Sequence, residues 1–212
     1  IDTYKQLHGE VNNLGDISKI TRLPKADLWT YSFPCQDLSI AGKLEGIKKG
    51  TRSGLLLEVE RLLDVAAFMG ELPKYLLLEN VKNLVNHNKG ETFSRIKKEF
   101  KEAGYDVFAQ VLNTQDYGVP QRRNRIFIIA FNREFFKTGT FTFPEKEELN
   151  VTTQDLLDEN VGETYFLTKK LEKTILGMGT KGYIVKPTID LPISKTLTAT
   201  MHKMHRASQD NY

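Results

Sequence analysis

Short apolar segments that alternate with amphipathic helical segments constrain the fold of this chain more than any other feature. The segments follow one another in the order strand, helix, strand, helix, strand, strand. The predicted strands are residues 27–33, 75–78, 105–112 and 126–131, and the predicted helices are residues 54–69 and 91–103. Such alternation is typical of sheets with helices on their faces, so we expect an α/β fold with a doubly wound sheet.

The regular pattern ends near residue 140, and this predicts two domains. Residues 141–212 hold short elements separated by glycine and proline, whereas residues 1–140 contain the alternating strands and helices. Hydrophobic residues make up 40% of the 212 residues, which is enough for a core and excludes wholesale disorder. The formal net charge of +3 is compatible with an anionic partner but is weak support for one.

Cysteine content and hydropathy exclude several classes of protein. The single cysteine, Cys35, excludes an internal disulfide, argues against a cysteine-based zinc site and indicates a reducing, intracellular compartment. No run approaches the roughly 18 apolar residues of a membrane span, and there is no signal peptide, so we expect a cytoplasmic protein without a membrane anchor or a metal site. The chain starts at Ile1 without an initiator methionine and stops at Tyr212, which we interpret as a piece of a larger protein.

The end of the first predicted strand carries the most reactive group in the chain. Residues 27–33 lead through Pro34 to Cys35, and proline fixes φ so that a stiff backbone presents the thiol. A polar, basic and glycine-bearing loop follows from residue 37 to residue 53, and such a loop can close over a phosphate backbone. A lone cysteine is more often a buried, inert side chain, but the rest of the chain weighs against that interpretation.

A carboxylate and an arginine cluster lie beside two other predicted strands. The apolar run 75–78 ends in Glu79, and a carboxylate at the end of a buried strand costs free energy unless it has a partner or a function. If the first two strands are parallel, Cys35 and Glu79 emerge at the same sheet edge, where open α/β sheets bind ligands. The arginines cluster at residues 121–125. A thiol, a carboxyl group and a guanidinium suit attack on a polarised heterocycle, whereas the lack of a histidine base in these motifs argues against a cysteine protease.

Asp16 is a candidate contact for a nucleotide cofactor. It lies between short apolar groups, and a carboxylate at a strand end often holds a ribose or an adenine amino group. An aspartate that caps a turn or a helix explains the local sequence at least as well. Both interpretations stay open on the local sequence.

Three motifs resemble, in order and spacing, those of DNA cytosine-5 methyltransferases. They are Pro34-Cys35-Gln36, Glu79-Asn80-Val81 and Gln121-Arg122-Arg123-Asn124-Arg125, and the resemblance covers about residues 1–135. It implies a Rossmann-like, S-adenosylmethionine-dependent methyltransferase sheet for residues 1–140 and part of a smaller, irregular target-recognition region for residues 141–212. It also implies double-stranded DNA as the partner, S-adenosylmethionine as the cofactor and a bacterial restriction–modification system as the setting.

The resemblance further implies a covalent mechanism on a cytosine that is flipped out of the duplex. The Cys35 thiolate would add to ring atom C6 while Glu79 hydrogen-bonds the N3 and N4 edge of the base. The activated C5 would take the methyl group, a base would remove the C5 proton, and the thiol would leave by elimination. Arg125, together with Arg123, would hold the base oxygen and neighbouring phosphates.

Other functional positions of the family carry over to residues around these catalytic groups. In the second region, Lys195-Thr196-Leu197-Thr198-Ala199 resembles the Thr-Leu element of the target-recognition region. The implied cofactor contacts are Asp16, Ile17, Pro34 and Leu55, and the implied nucleic-acid contacts are Gln36, Ser39, Arg52, Asn80, Gln121, Thr196, Leu197 and Lys203.

The sequence departs from the family pattern at both ends. The glycine-rich cofactor loop is expected before Ile1 and the two closing motifs are expected after Tyr212, so only part of the methyl-donor pocket is present. We therefore expect a fragment, or a chain that needs a complementing chain or the missing segments, and we expect it to bind S-adenosylmethionine poorly by itself.

Two alternatives remain open, and a third is disfavoured. A tRNA cytosine-5 methyltransferase would apply the same chemistry to RNA, although a large recognition region favours DNA because direct readout needs surface for the major groove. A catalytically incomplete nucleic-acid-binding fragment would keep the fold without turnover. A nicotinamide dehydrogenase is disfavoured, because no Gly-x-Gly-x-x-Gly follows any predicted strand.

Overall fold

The chain divides into two compact units. A computed structural model describes residues 2–34, 55–137, 140–177, 179–180, 183–184, 186–197 and 210–212. The first unit consists of residues 1–111 and 126–142, and the second consists of residues 112–125 and 143–212. The main boundary therefore follows residue 142 rather than residue 140, and the second unit also includes the segment that carries the arginine cluster.

The helices and strands of both units are numbered in chain order. The α-helices are α1 (Asp2–His8), α2 (Leu55–Phe68), α3 (Glu91–Glu102) and α4 (Lys169–Leu176). The longer strands are β1 (Leu28–Tyr31), β2 (Tyr75–Val81), β3 (Tyr105–Asn113) and β5 (Asn124–Asn132). The two-residue strands are β4 (Gln121–Arg122), β6 (Gly179–Thr180), β7 (Tyr183–Ile184), β8 (Thr188–Ile189), β9 (Ser194–Lys195) and β10 (Asp210–Asn211).

The longer strands form one sheet in the order β1-β2-β5-β3. β1 and β2 are parallel, with Tyr31 opposite Leu78, which is the condition under which the sequence placed Cys35 and Glu79 at one sheet edge. The Asn132 N–H donates to the Lys74 carbonyl over 2.9 Å, which places the end of β5 beside the start of β2. β5 therefore runs in the opposite direction to β2.

The core lies between the sheet and helices α2 and α3. Side chains alternate along β2, so Leu76 and Leu78 are fully buried against the helices. Leu56 and Leu63 of α2 and Phe100 of α3 complete this cluster. Burial of each such side chain contributes roughly 1.5–3 kcal/mol, so apolar packing supplies most of the free energy that holds the helices on the sheet.

An ion pair joins the two core helices. The Arg95 guanidinium of α3 lies 2.8 Å from a carboxylate oxygen of Glu60 in α2. Burial raises the pKa of the Glu60 carboxyl group, although Arg95 partly offsets this effect. The other carboxylate oxygen, Oε1, is buried and accepts no hydrogen bond within the described residues. The helix interface thus contains a charge that is only partly compensated.

The second unit contains short ladders rather than one sheet. β4 pairs with β9 in parallel, β8 pairs with β10 in parallel, and β6 pairs with β7 in antiparallel fashion. α4 is the one α-helix in the described part of this unit, and Ile175 is its buried residue. The irregular character that the sequence indicated after residue 140 follows from these short elements.

Candidate active site

Asn80 joins the ends of the two parallel strands. Its side chain is 2% exposed, and Nδ2 donates to the Phe33 carbonyl over 3.1 Å. Its Oδ1 accepts the Val81 N–H over 2.9 Å. Phe33 is itself buried and directly precedes Pro34, so this hydrogen bond fixes the backbone that leads to Cys35.

The contacts of Asn80 within the described residues are structural. The family resemblance also implies that Asn80 contacts nucleic acid. Its Nδ2 and its Oδ1 each bind protein backbone, and the side chain is buried. The expected contact with nucleic acid stays a prediction. We infer that Asn80 is a positioning residue that holds the two motifs together.

Glu79 lies on the other face of β2 from Leu78 and Asn80. Successive residues of a strand point to opposite faces, and the face of β2 that carries Glu79 is less buried than the face that carries Leu78 and Asn80. The parallel pairing of β1 with β2 brings Phe33, which precedes Pro34, and Asn80, which follows Glu79, to the same sheet edge. Cys35, Gln36, Ser39 and Arg52 lie outside the described residues, so their roles stay predictions.

Asp16 caps a short helix, as the local sequence allowed. Its Oδ1 accepts the Ser18 N–H over 3.0 Å and the Ser18 hydroxyl over 2.8 Å at the start of the 3-10 helix Ile17–Lys19. These hydrogen bonds stabilise the charged form and hold the pKa of Asp16 below its usual value. Within the described residues, Oδ2 accepts no hydrogen bond, so an exposed carboxylate oxygen remains for a ligand donor.

Arg61 of α2 anchors the turn that begins at Asp16. Its Nη2 donates to the Ile20 carbonyl over 2.7 Å and to the Ile17 carbonyl over 3.2 Å, while Nε donates to Glu58 over 2.8 Å. This contact is not predictable from the sequence, because Arg61 occupies an ordinary position on the polar face of an amphipathic helix. No local pattern relates it to a turn 41 residues earlier.

The three apolar cofactor candidates all belong to the first unit. Ile17 is partly buried and packs on the hydrophobic core. Pro34 follows the buried end of β1, and Leu55 is the first residue of α2, and each is partly buried. Their side chains therefore retain some accessible apolar surface.

Two neighbouring residues hold the arginine segment within the second unit. The Arg123 N–H donates to Oδ1 of Asn113 over 3.0 Å, and the Thr114 N–H donates to the Arg123 carbonyl over 3.2 Å. The side chains of Arg123 and Arg125 are partly buried. Nη1 of Arg125 donates to the Asn124 carbonyl over 2.8 Å, so its guanidinium folds back along its own strand.

The Thr-Leu element packs against this arginine segment. Ser194 donates to the Pro120 carbonyl through its backbone N–H over 2.9 Å and through its hydroxyl over 3.2 Å. The Thr196 hydroxyl donates to the Arg122 carbonyl over 2.9 Å. The bonded residues Thr196 and Arg122 are 74 residues apart in sequence, so the structure brings together two distant segments of the chain.

The predicted nucleic-acid contacts of the second unit differ in exposure. Gln121 is partly buried in β4 and pairs with Ser194 of β9. Leu197 is 59% exposed, so its side chain remains open to solvent. Lys203 lies outside the described residues. The Thr196 hydroxyl proton is used inside the unit, which leaves its oxygen lone pairs and methyl group for other contacts.

The described residues contain no cluster of three or more His, Cys, Asp or Glu side chains that could hold a metal ion. Across that same part of the chain, no helix is both long and apolar enough to cross a membrane.

A family model and several known proteins match this chain. The model described as C-5 cytosine-specific DNA methylase matches residues 1–210. The type II methyltransferase M2.ScrFI of Lactococcus lactis subsp. cremoris is 42% identical over 159 residues, which are 73% of this chain and 42% of that protein. The type II methyltransferase M.BsuFI of Bacillus subtilis is 35% identical over 210 residues, which are 96% of this chain and 49% of that protein. The chain thus spans about half the length of these curated relatives.

Solved structures agree with the fold. The Entamoeba histolytica methyltransferase EhMeth superposes with a TM-score of 0.71 at 17% identity, over 97% of this chain and 61% of that one. The S. pombe Dnmt2 methyltransferase gives a TM-score of 0.68 at 17% identity, over 97% of this chain and 62% of that one. These structures confirm the expected Rossmann-like α/β methyltransferase fold. With the match of the family model over nearly the whole sequence, the chain belongs to the C-5 cytosine-specific DNA methylase family.

Proposed function

We propose that this chain carries the methyl-accepting part of a DNA cytosine-5 methyltransferase from a bacterial restriction–modification system, active in the cytoplasm. Its substrate would be a cytosine flipped out of double-stranded DNA, and its methyl donor would be S-adenosylmethionine. Membership of the family supports this proposal, as do relatives that are named type II methyltransferases. The single observation that carries it is the parallel pair β1 and β2, joined by Asn80, which leads both catalytic motifs to one sheet edge.

Nucleophilic addition is the first step of the proposed reaction. The Cys35 thiolate attacks C6 of the cytosine, the C5–C6 π electrons move toward N3, and Glu79 provides the hydrogen bond or proton that stabilises this charge. Carbon C5 thereby becomes nucleophilic. S-adenosylmethionine, when bound, supplies the electrophilic methyl group. Loss of the C5 proton to a base then expels the Cys35 thiolate, any proton given to N3 returns to Glu79, and the ring is restored.

Asn80 would control the geometry of the addition step by holding the backbone that precedes Cys35. Attack requires the sulfur and the carboxylate to approach one base from fixed directions. The hydrogen bond from Asn80 to Phe33 holds the chain two residues before Cys35, and Glu79 is covalently adjacent to Asn80. A shift of either strand end would therefore change the distance between the nucleophile and the group that stabilises charge.

The residues around Asp16 fit an adenosine group. The exposed Oδ2 of Asp16 can accept a hydrogen bond from an adenine amino group, and Ile17 offers apolar surface for the ring. Arg61 holds the turn that presents both side chains. We propose that Pro34 and Leu55 provide further apolar contacts to the same adenosine group.

The arginine segment would hold the flipped base and its flanking phosphates. A guanidinium donates to a carbonyl oxygen or a phosphate in a fixed, planar geometry, and this suits Arg125 to the base oxygen and Arg123 to its surroundings. We propose that Gln121, Thr196 and Leu197 contact DNA beside them, together with Gln36, Ser39, Arg52 and Lys203.

Covalent trapping tests this proposal. A duplex that carries 5-fluorocytosine keeps the adduct, because fluorine blocks the proton loss that would release Cys35. With S-adenosylmethionine, and with the glycine-rich loop and the closing motifs supplied by a complementing chain or restored in the same chain, the wild-type protein should form a denaturation-resistant adduct with DNA, and the Cys35→Ser variant should not. Trapping on RNA alone would favour the tRNA methyltransferase, and no trapping on either nucleic acid would contradict the catalytic assignment.

A further inference from the structure

Helix α4 carries one strongly basic face. Lys169 and Lys173 are one turn apart, as are Lys170 and Thr174, and all four side chains are exposed. Ile175 is 3% exposed and fixes the opposite side of the helix against the second unit. The lysines and Thr174 border an open concavity of about 490 Å³.

No acidic side chain neutralises this lysine face within the described residues. Lys169, Lys170 and Lys173 form no ion pair there, although Glu172 is part of the same helix. Helix α3 differs in part, because Arg95 pairs with Glu60 and Glu99 there, and Lys98 pairs with Glu102. Lys97 and Lys101 of α3 form no ion pair within the described residues, and they serve below as lysines outside the proposed surface. The lysine face therefore presents uncompensated positive charge.

The position of these lysines lowers the stability of helix α4. Lys169 and Lys170 are its first two residues, where the positive end of the helix dipole repels cations. Lys169 and Lys173 also form a like-charge pair one turn apart. The lysine face therefore costs folding free energy, and a bound anion would relieve that cost.

Charge is segregated along the amino-acid sequence of the second unit. Residues 145–163 carry seven acidic and one basic side chain, whereas residues 169–206 carry eight basic and two acidic side chains. The change of sign occurs at Thr168, which caps α4. The lysine face thus begins the basic half of the unit, which also includes Thr196.

We propose that the lysine face of α4 binds the phosphate backbone of double-stranded DNA. This inference rests on the proposed function, and it assigns a contact surface beyond the catalytic motifs. Lysines at a phosphate backbone neutralise charge and fix orientation without reading sequence. Sequence selection would remain with other residues of the second unit.

The test compares two triple variants with the same change in charge. The first is Lys169→Gln/Lys170→Gln/Lys173→Gln on α4, and the control is Lys97→Gln/Lys98→Gln/Lys101→Gln on α3. Affinity for a short duplex is measured by fluorescence anisotropy between about 50 and 200 mM salt. Circular dichroism confirms that both variants fold.

The α4 variant should reduce the magnitude of the slope of log affinity against log salt by about 2.7, which is 0.9 for each of three lost phosphate contacts. The loss should be the same for unrelated duplex sequences, and the α3 control should keep the wild-type slope. Equal effects of both variants, or no effect of the α4 variant, would overturn the proposal while leaving the catalytic function standing. A wild-type chain that binds no DNA would overturn both.

Discussion

Asn80 and Glu79 are neighbours on one strand, yet alternation points their side chains to opposite faces of the sheet. The Asn80 amide is buried and hydrogen-bonded through both its nitrogen and its oxygen, whereas Glu79 is only partly buried. The motif gave both residues a functional role from the sequence. The motif alone could not show which residue has a chemical role and which has a positioning role. That distinction depends on burial and on the hydrogen bond of Asn80 to Phe33, which is 47 residues away in sequence.

Replacement of Asn80 should slow adduct formation as well as destabilise the fold. Asn80→Ala removes the donor to Phe33 and leaves a buried carbonyl unpaired, which should cost about 1–3 kcal/mol of unfolding free energy. The rate of trapping on 5-fluorocytosine DNA should fall at least about tenfold, the factor that about 1.4 kcal/mol of activation free energy produces.

Asn132 provides the matched control for this prediction. It is 1% exposed and lies at the end of β5 beside the start of β2, at the other edge of the same sheet. Asn132→Ala should lower stability, because the Glu134 N–H loses its acceptor, while the folded variant traps DNA at the wild-type rate when the two variants are compared at equal folded fractions. Equal slowing by both variants would mean that Asn80 acts only through stability.

At the scale of elements, strands and helices with a strong periodicity were predicted within a few residues. The helix predicted over 91–103 is α3 (Glu91–Glu102), and Gly104 follows it with a φ of +93°, which glycine adopts without strain. β4 was not among the predicted strands, because two residues that pair only with β9, which is distant in sequence, leave no periodic pattern. The reversed direction of β5 was not visible either, since an apolar strand has the same pattern in both directions.

The partly compensated Glu60 between α2 and α3 predicts a pH dependence of stability. Burial raises the pKa of this carboxyl group above its unfolded value, so the folded state favours the protonated form. Its contribution is therefore most favourable below the unfolded pKa and is lost as the pH rises through the folded pKa.

Glu60→Gln should remove this pH-dependent contribution. Relative to the variant, the wild-type chain should lose unfolding free energy as the pH rises from about 4 toward neutrality, as measured by urea denaturation at each pH. A difference that is constant over this range, or that changes in the opposite direction, would refute the proposed effect of burial on Glu60.

At the scale of the whole molecule, three short motifs identified the family, and the family model over residues 1–210 confirmed it. The second unit was harder to predict, because its short ladders join residues far apart in sequence and leave no periodic pattern. The contact between the Thr-Leu element and the arginine segment belongs to this class. The lysine face of α4 is not predictable from the sequence for another reason. An exposed lysine indicates an anion-binding surface only where no acidic side chain pairs with it in the described part of the structure.

The most direct measurement of the central claim is the identity of the residue that bonds to the base. After trapping on 5-fluorocytosine DNA, tryptic digestion and nuclease treatment, mass spectrometry should find the modified nucleotide on the peptide of residues 26–43, which contains the single cysteine. Fragmentation should place it on Cys35. A nucleotide on any other residue, or a trapped complex that survives in the Cys35→Ser variant, would contradict the mechanism.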